Sequence, residues 1–102
     1  MEGSKLVRDK IPEIIRQSGR KPMVHIADQK EYAMKLRTKL VEESEEYISS
    51  HSPEELADIL EVVYALAALD KIDPSALGRM RLAKAKKRGS FRRKIVLDGI
   101  EK

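Results

Sequence analysis

Two runs of carboxylates carry the chemistry that this sequence offers: Glu42-Glu43-Ser44-Glu45-Glu46 and, beginning eight residues after the first run closes, Glu54-Glu55-Leu56-Ala57-Asp58. At about 100° per residue, Leu36, Leu40 and Tyr47 form one apolar stripe of a helix. Glu43 falls inside that stripe and Glu46 at its edge, whereas Glu42 and Glu45 point away and are expected to be solvated. An acid turned into a core must be paired, protonated or bound to a cation. On the following helix Glu55 projects between Val62 and Leu66, and Asp58 lies beside Leu69. The pattern therefore predicts four oxygen donors, spaced i and i+3 on each of two neighbouring helices, converging on a divalent cation. Four carboxylates held together repel one another unless such a cation neutralises them, and an oxygen-only set suits Mg2+, with Mn2+ as the alternative, and not zinc.

The elements that must position these groups read as four helices. Residues 10–17 form a first short helix, with Asp9 expected as its cap, Pro12 in its first turn, Ile11, Ile14 and Ile15 facing inward, and Gly19 as its stop. A connector follows through Ala27, broken by Pro22 and containing a short extended stretch, Met23-Val24-His25-Ile26. His25, alone between apolar neighbours, reads as structural and not as a metal ligand. Asp28 caps a second helix running to about Ser49. Ser52-Pro53-Glu54-Glu55 is a strong helix start, and a capping box there would occupy the Glu55 carboxylate. That third helix runs to about Leu69 and is apolar over more than half its circumference, which predicts cover on two sides and hence a partner copy. Asp73-Pro74 opens a fourth helix, residues 75–87, ended by Gly89. Beyond it Ile95-Val96-Leu97 is expected to pack as an extended tail.

Bulk properties fit this all-α reading. The chain of 102 residues is expected to be a single domain, with 41% hydrophobic, 4% aromatic and 37% charged residues, a balance that suits small aliphatic helix packing better than a sandwich or barrel. Cysteine is absent, which excludes disulfides and thiolate metal sites. The apolar run of residues 62–69 is too short to span a bilayer, and Met1-Glu2-Gly3-Ser4 opens no signal-peptide pattern, so the expectation is a cytoplasmic protein with no membrane partner. The net charge of +4 conceals an asymmetry: residues 79–94 hold Arg79, Arg81, Lys84, Lys86, Lys87, Arg88, Arg92, Arg93 and Lys94 without one acid. Such a block prefers polyanions, either a nucleic-acid backbone or nucleotide phosphates.

The pattern Glu-Glu-x-x-Glu followed by Glu-x-x-Asp, present as Glu42, Glu43, Glu46 and then Glu55, Asp58, resembles the MazG-like all-α nucleoside triphosphate pyrophosphohydrolases, whose relatives include phosphoribosyl-ATP pyrophosphohydrolase. The opening Lys5-Leu6-Val7-Arg8-Asp9-Lys10-Ile11-Pro12-Glu13 and the closing Lys87-Arg88-Gly89-Ser90-Phe91 resemble one small branch of that family, so the likeness covers nearly the whole chain. The gap between the motifs is short beside many members, and Ser90 stands where a second glycine is expected.

The resemblance implies an oligomeric MazG-like four-helix bundle, a dimer or tetramer, in which Glu43, Glu46, Glu55 and Asp58 hold magnesium and form the catalytic site. It implies hydrolysis of a nucleotide substrate to a monophosphate and pyrophosphate, in nucleotide-pool house-cleaning. Arg8, Lys10, Lys84, Lys87 and Arg88 are the expected phosphate contacts, with Lys39 added because it projects beside Glu43 and Glu46. Tyr32 and Phe91 are candidate stacking partners for a base, while Tyr47 sits on the core stripe. The alternative is a small dimeric nucleic-acid-binding protein using the basic C-terminal segment, and a third reading is an inactive relative kept as an assembly module. Few aromatics, no base-reading module and acids beside the phosphate path argue against nucleic acid as the partner.

Overall fold

The computed structural model describes residues 4–102, so the reading of the start as free of a leader falls partly on residues 1–3, outside the described residues. The fold is all-α, with α1 Ile11–Gln17, α2 Gln29–Ser50, α3 Pro53–Leu69 and α4 Pro74–Arg88, and no strand among the described residues.

Three of the four helix starts are fixed by the side chains expected there. Asp28 accepts a hydrogen bond from the Glu31 amide at 2.8 Å, Ser52 one from the Glu54 amide at 3.3 Å, and Asp73 one from the Ala76 amide at 2.8 Å. Each satisfies a backbone donor that has no partner within its helix. The exception is α1. Its cap position is Lys10, in helical backbone geometry and with no side-chain cap bond, so Asp9 does not cap it.

Helix ends follow the same logic with one surprise. The amides of Gly19 and Arg20 reach back to the carbonyls of Arg16 and Ile15, at 2.9 and 3.3 Å, with Gly19 at φ +89°. The same pair of backward bonds closes α3, where Lys71 and Ile72 donate to Ala68 and Ala67, both at 3.0 Å. Here a lysine at φ 60° takes the left-handed place that glycine usually fills.

Packing centres on one helix pair. α2 and α3 lie against each other, α4 meets only α3, and α1 packs against no other helix. Leu36 from α2 and Val62 from α3 are the apolar residues that reach full burial, at 3% and 8% exposure. Leu40 and Tyr47, the rest of the expected stripe, are half-buried. The chain is accordingly drawn out, with a radius of gyration of 18.0 Å against about 13 Å for a compact chain of this length.

Two expected packings are not made. Residues 23–26 form an irregular connector in which Met23 and Ile26 stand in solvent, and Ile95, Val96 and Leu97 extend from a turn at residues 91–94 without packing. Neither segment has a second strand to pair with or an apolar surface of its own chain within reach.

Because the core is so small, truncating its most buried member should be severe. Leu36→Ala is expected to cost about 2–5 kcal/mol, at the scale of other buried leucine truncations. Denaturant unfolding checks this, and a loss below about 1 kcal/mol would show that the α2–α3 seam is not where stability resides.

Candidate metal centre

The helix pair delivers its acids into its own seam. Glu43 is 8% exposed, on the same face of α2 as Leu36, while α3 contributes Glu55 and Asp58 from successive turns of the side that also buries Val62. One carboxylate oxygen each from Glu43, Glu55 and Asp58 lie within 4.8 Å of one another. Glu43 Oε2 and Glu55 Oε2 are both buried and have no hydrogen-bond partner. A buried acceptor without a donor is costly, and two of them facing each other are costlier.

Two rivals for these carboxylates are resolved by geometry. The capping box at the start of α3 is half made: Ser52 caps, but the Glu55 amide bonds the Ser52 carbonyl at 3.1 Å and its side chain turns instead toward Glu43. Glu46, expected as a fourth ligand, is exposed and lies outside the close trio. It sits at the rim of the seam, as its position at the edge of the stripe would allow, and with Glu42, Glu45 and Ser49 it lines an open depression on α2. Glu45 is exposed as expected, whereas Glu42 is half-buried.

The electrostatics follow from crowding. Burial, and then the neighbouring Glu46 charge, push the Glu43 carboxyl above its ordinary value, against the smaller pull of Lys39. Burial, and then the neighbouring Glu43 and Glu46 carboxylates, push Glu55 up to about 7.

Two of the expected cations stand at this site. Lys39 Nζ is 3.7 Å from Glu43 Oε1, one turn earlier on α2, and Arg8 Nη2 donates to Asp58 Oδ1 at 2.8 Å from outside the helix pair. Lys10, Lys84, Lys87 and Arg88 are exposed and make no ion pair among the described residues. The latter three lie along α4, which reaches the acid-bearing pair only through α3. His25 is held by the Glu31 carboxylate at 2.9 Å, the structural role expected of it. Tyr47 faces the His51 ring at 6.2 Å, and Phe91 is almost wholly exposed.

No family model, curated protein or solved structure matches this chain. What the site can do must come from its own chemistry. Three carboxylates within reach of one another, two with unpartnered buried oxygens, fit a hard divalent cation that takes oxygen ligands. Glu43, Glu55 and Asp58 would hold it, and Glu46 is near enough to add charge from the rim.

The raised Glu55 carboxyl makes a signed prediction for metal-free protein. Between the ordinary carboxyl value of 4.5 and about 7, folded Glu55 binds more protons than the unfolded chain, so stability falls as pH rises through that window. In EDTA, thermal unfolding should occur at lower temperature at about pH 8 than at about pH 5, and Glu55→Gln should flatten that slope. Saturating Mg2+ should favour the charged carboxylates and restore stability at the higher pH. A melting temperature that climbs with pH in EDTA would show that folding does not raise the Glu55 carboxyl.

Proposed function

We propose that the protein is a magnesium-dependent nucleoside triphosphate pyrophosphohydrolase of the MazG-like kind, releasing a nucleoside monophosphate and pyrophosphate. The observation that carries this reading is the Glu43 carboxylate, buried in the α2–α3 seam with an unpartnered oxygen turned to Glu55 and Asp58. A core builds such an acid trio at a cost in stability, and that cost is met when a divalent cation binds it. Mg2+ supplies neutralisation of phosphate charge and a lowered pKa for water when bound.

The chain's own residues supply the rest. Net hydrolysis joins a water oxygen to the α-phosphorus and breaks the bond to the oxygen bridging the α- and β-phosphorus atoms, with that oxygen leaving on pyrophosphate. A carboxylate at the rim takes the water's proton, and Glu46, exposed and outside the close trio, has its open side toward solvent. Arg8 and Lys39, already beside the acids, are placed to hold phosphate oxygens. The basic block of residues 79–94, with no acid of its own to pair with, adds a field that draws in a polyanion.

An oligomer belongs to this reading. On α2, Met34, Val41 and Ile48 recur every seven residues and are all more than half exposed, and on α3 Leu56 and Leu60 are close to half exposed. These stripes lie away from the seam. A chain this extended, with two buried apolar residues among those described, gains most of its missing core by covering these stripes with a second copy. Val63 and Leu66 are half-buried whereas Leu60 is close to half exposed, so Leu60 is the better position at which to probe the interface. Leu60→Glu should shift the protein toward monomer in sedimentation and lower activity on the same concentration scale. A stably folded, fully active monomer would sink the oligomer.

The activity itself is tested by separate detection of pyrophosphate and orthophosphate across a panel of nucleotides, phosphoribosyl-ATP included. Glu43→Gln and Asp58→Asn should each lower Mg2+-dependent pyrophosphate release by at least about a hundredfold, with the fold intact or more stable because each removes a charge from a crowded site. Glu45→Gln, on the exposed side of the same helix, should change it less than about twofold. Near wild-type turnover in either site variant would end the acid-trio reading.

A further inference from the structure

The N-terminal segment before α1 crosses both site-bearing helices and is pinned at two points. Near its start, Lys35 Nζ on α2 donates to the Ser4 carbonyl at 2.8 Å. Four residues on, Arg8 Nη2 donates to Asp58 Oδ1 on α3, also at 2.8 Å. These are the side-chain hydrogen bonds that join parts of the described chain distant in sequence; all the others span six residues or fewer. α1 packs against no helix, and along the strap Leu6 alone is half-buried while its neighbours are exposed.

We infer that Arg8 is a resident counter-cation of the acid trio, which the strap lays on Asp58 in the metal-free protein and hands over to a phosphate of the incoming metal–nucleotide complex. The inference rests on the metal-site reading above and adds a competition between the chain's own cation and the divalent one. Glu43 is the buried member of the trio, whereas the Arg8 and Asp58 side chains are 56% and 40% exposed, so the pair is weak enough to exchange. A guanidinium freed from one oxyanion keeps its fork of donors for the next, and phosphate oxygens match that fork as well as carboxylate does. Until the phosphates arrive, the same positive charge opposes a second cation at the site.

Competition and hand-over act with opposite signs, which separates them from a structural role. Arg8→Gln should tighten Mn2+ binding to the nucleotide-free protein by about two- to fivefold, read by calorimetry or by loss of the free-ion electron paramagnetic resonance signal. The same variant should weaken binding of a Mn2+-loaded nucleoside triphosphate with a methylene α,β-bridge by about tenfold or more. Arg8→Lys should recover part of both effects. Lys35→Met, which frees the strap without touching Asp58, should tighten Mn2+ binding in the same direction.

Unchanged Mn2+ affinity in Arg8→Gln, with the analogue still weakened, would leave Arg8 a phosphate contact only and overturn the competition. Weakened binding of both ligands would make the strap structural and overturn it too. Absence of Mn2+ binding in the wild type would overturn the metal site itself, and the inference with it, which distinguishes that failure from the other two.

Discussion

Everything distinctive in this molecule depends on the desolvation of one carboxylate, that of Glu43, between two helices. The α2–α3 seam buries Leu36 and Val62 and, in doing so, withdraws Glu43 from water and turns Glu55 toward it. Apolar burial is what holds the acids at a distance they would not choose. The free energy released along the seam offsets like-charge repulsion and unpartnered oxygens at one end of it. Proton uptake at Glu55, whose carboxyl burial and its acidic neighbours raise to about 7, relieves part of that repulsion.

The rest of the charge distribution reads as a response to that site. Lys39 from within α2 and Arg8 from across the strap lower the local negative potential. The larger positive reservoir, along α4 and the tail, stays apart from it within one chain and makes no ion pair there. An acid centre and a basic arm separated in this way suit a ligand that carries both a cation and several phosphates.

Features set by neighbouring residues were legible in the sequence. Asp28, Ser52 and Asp73 cap their helices, and Gly19 and Gly89 lie beyond helix ends in left-handed geometry, because caps and stops are decided within one turn. The burial of Glu43 was legible too, since helical phase fixes the side from which a residue projects. Three features were not. Asp9 is no cap because the turn before α1 already has helical geometry at Lys10. Glu46 lies at the stripe's margin, where phase alone does not separate rim from seam. The Arg8–Asp58 pair spans fifty residues, and no local pattern reports a contact whose partners are brought together by two elements and a loop.

The connection between α2 and α3 consists of His51 and Ser52, with His51 in left-handed geometry at φ 57° and its amide bonded to the Tyr47 carbonyl. So short a link ties Glu43 to Glu55 across only a dozen positions of chain. The acid centre is thus an object of low contact order: it comes into being with the closure of a single αα-hairpin, an event on the microsecond scale, and does not wait for the termini. The same shortness makes it brittle to length. A two-residue link has little slack to absorb a longer or shorter turn, so the length of that turn is as much a part of the site as the acids themselves.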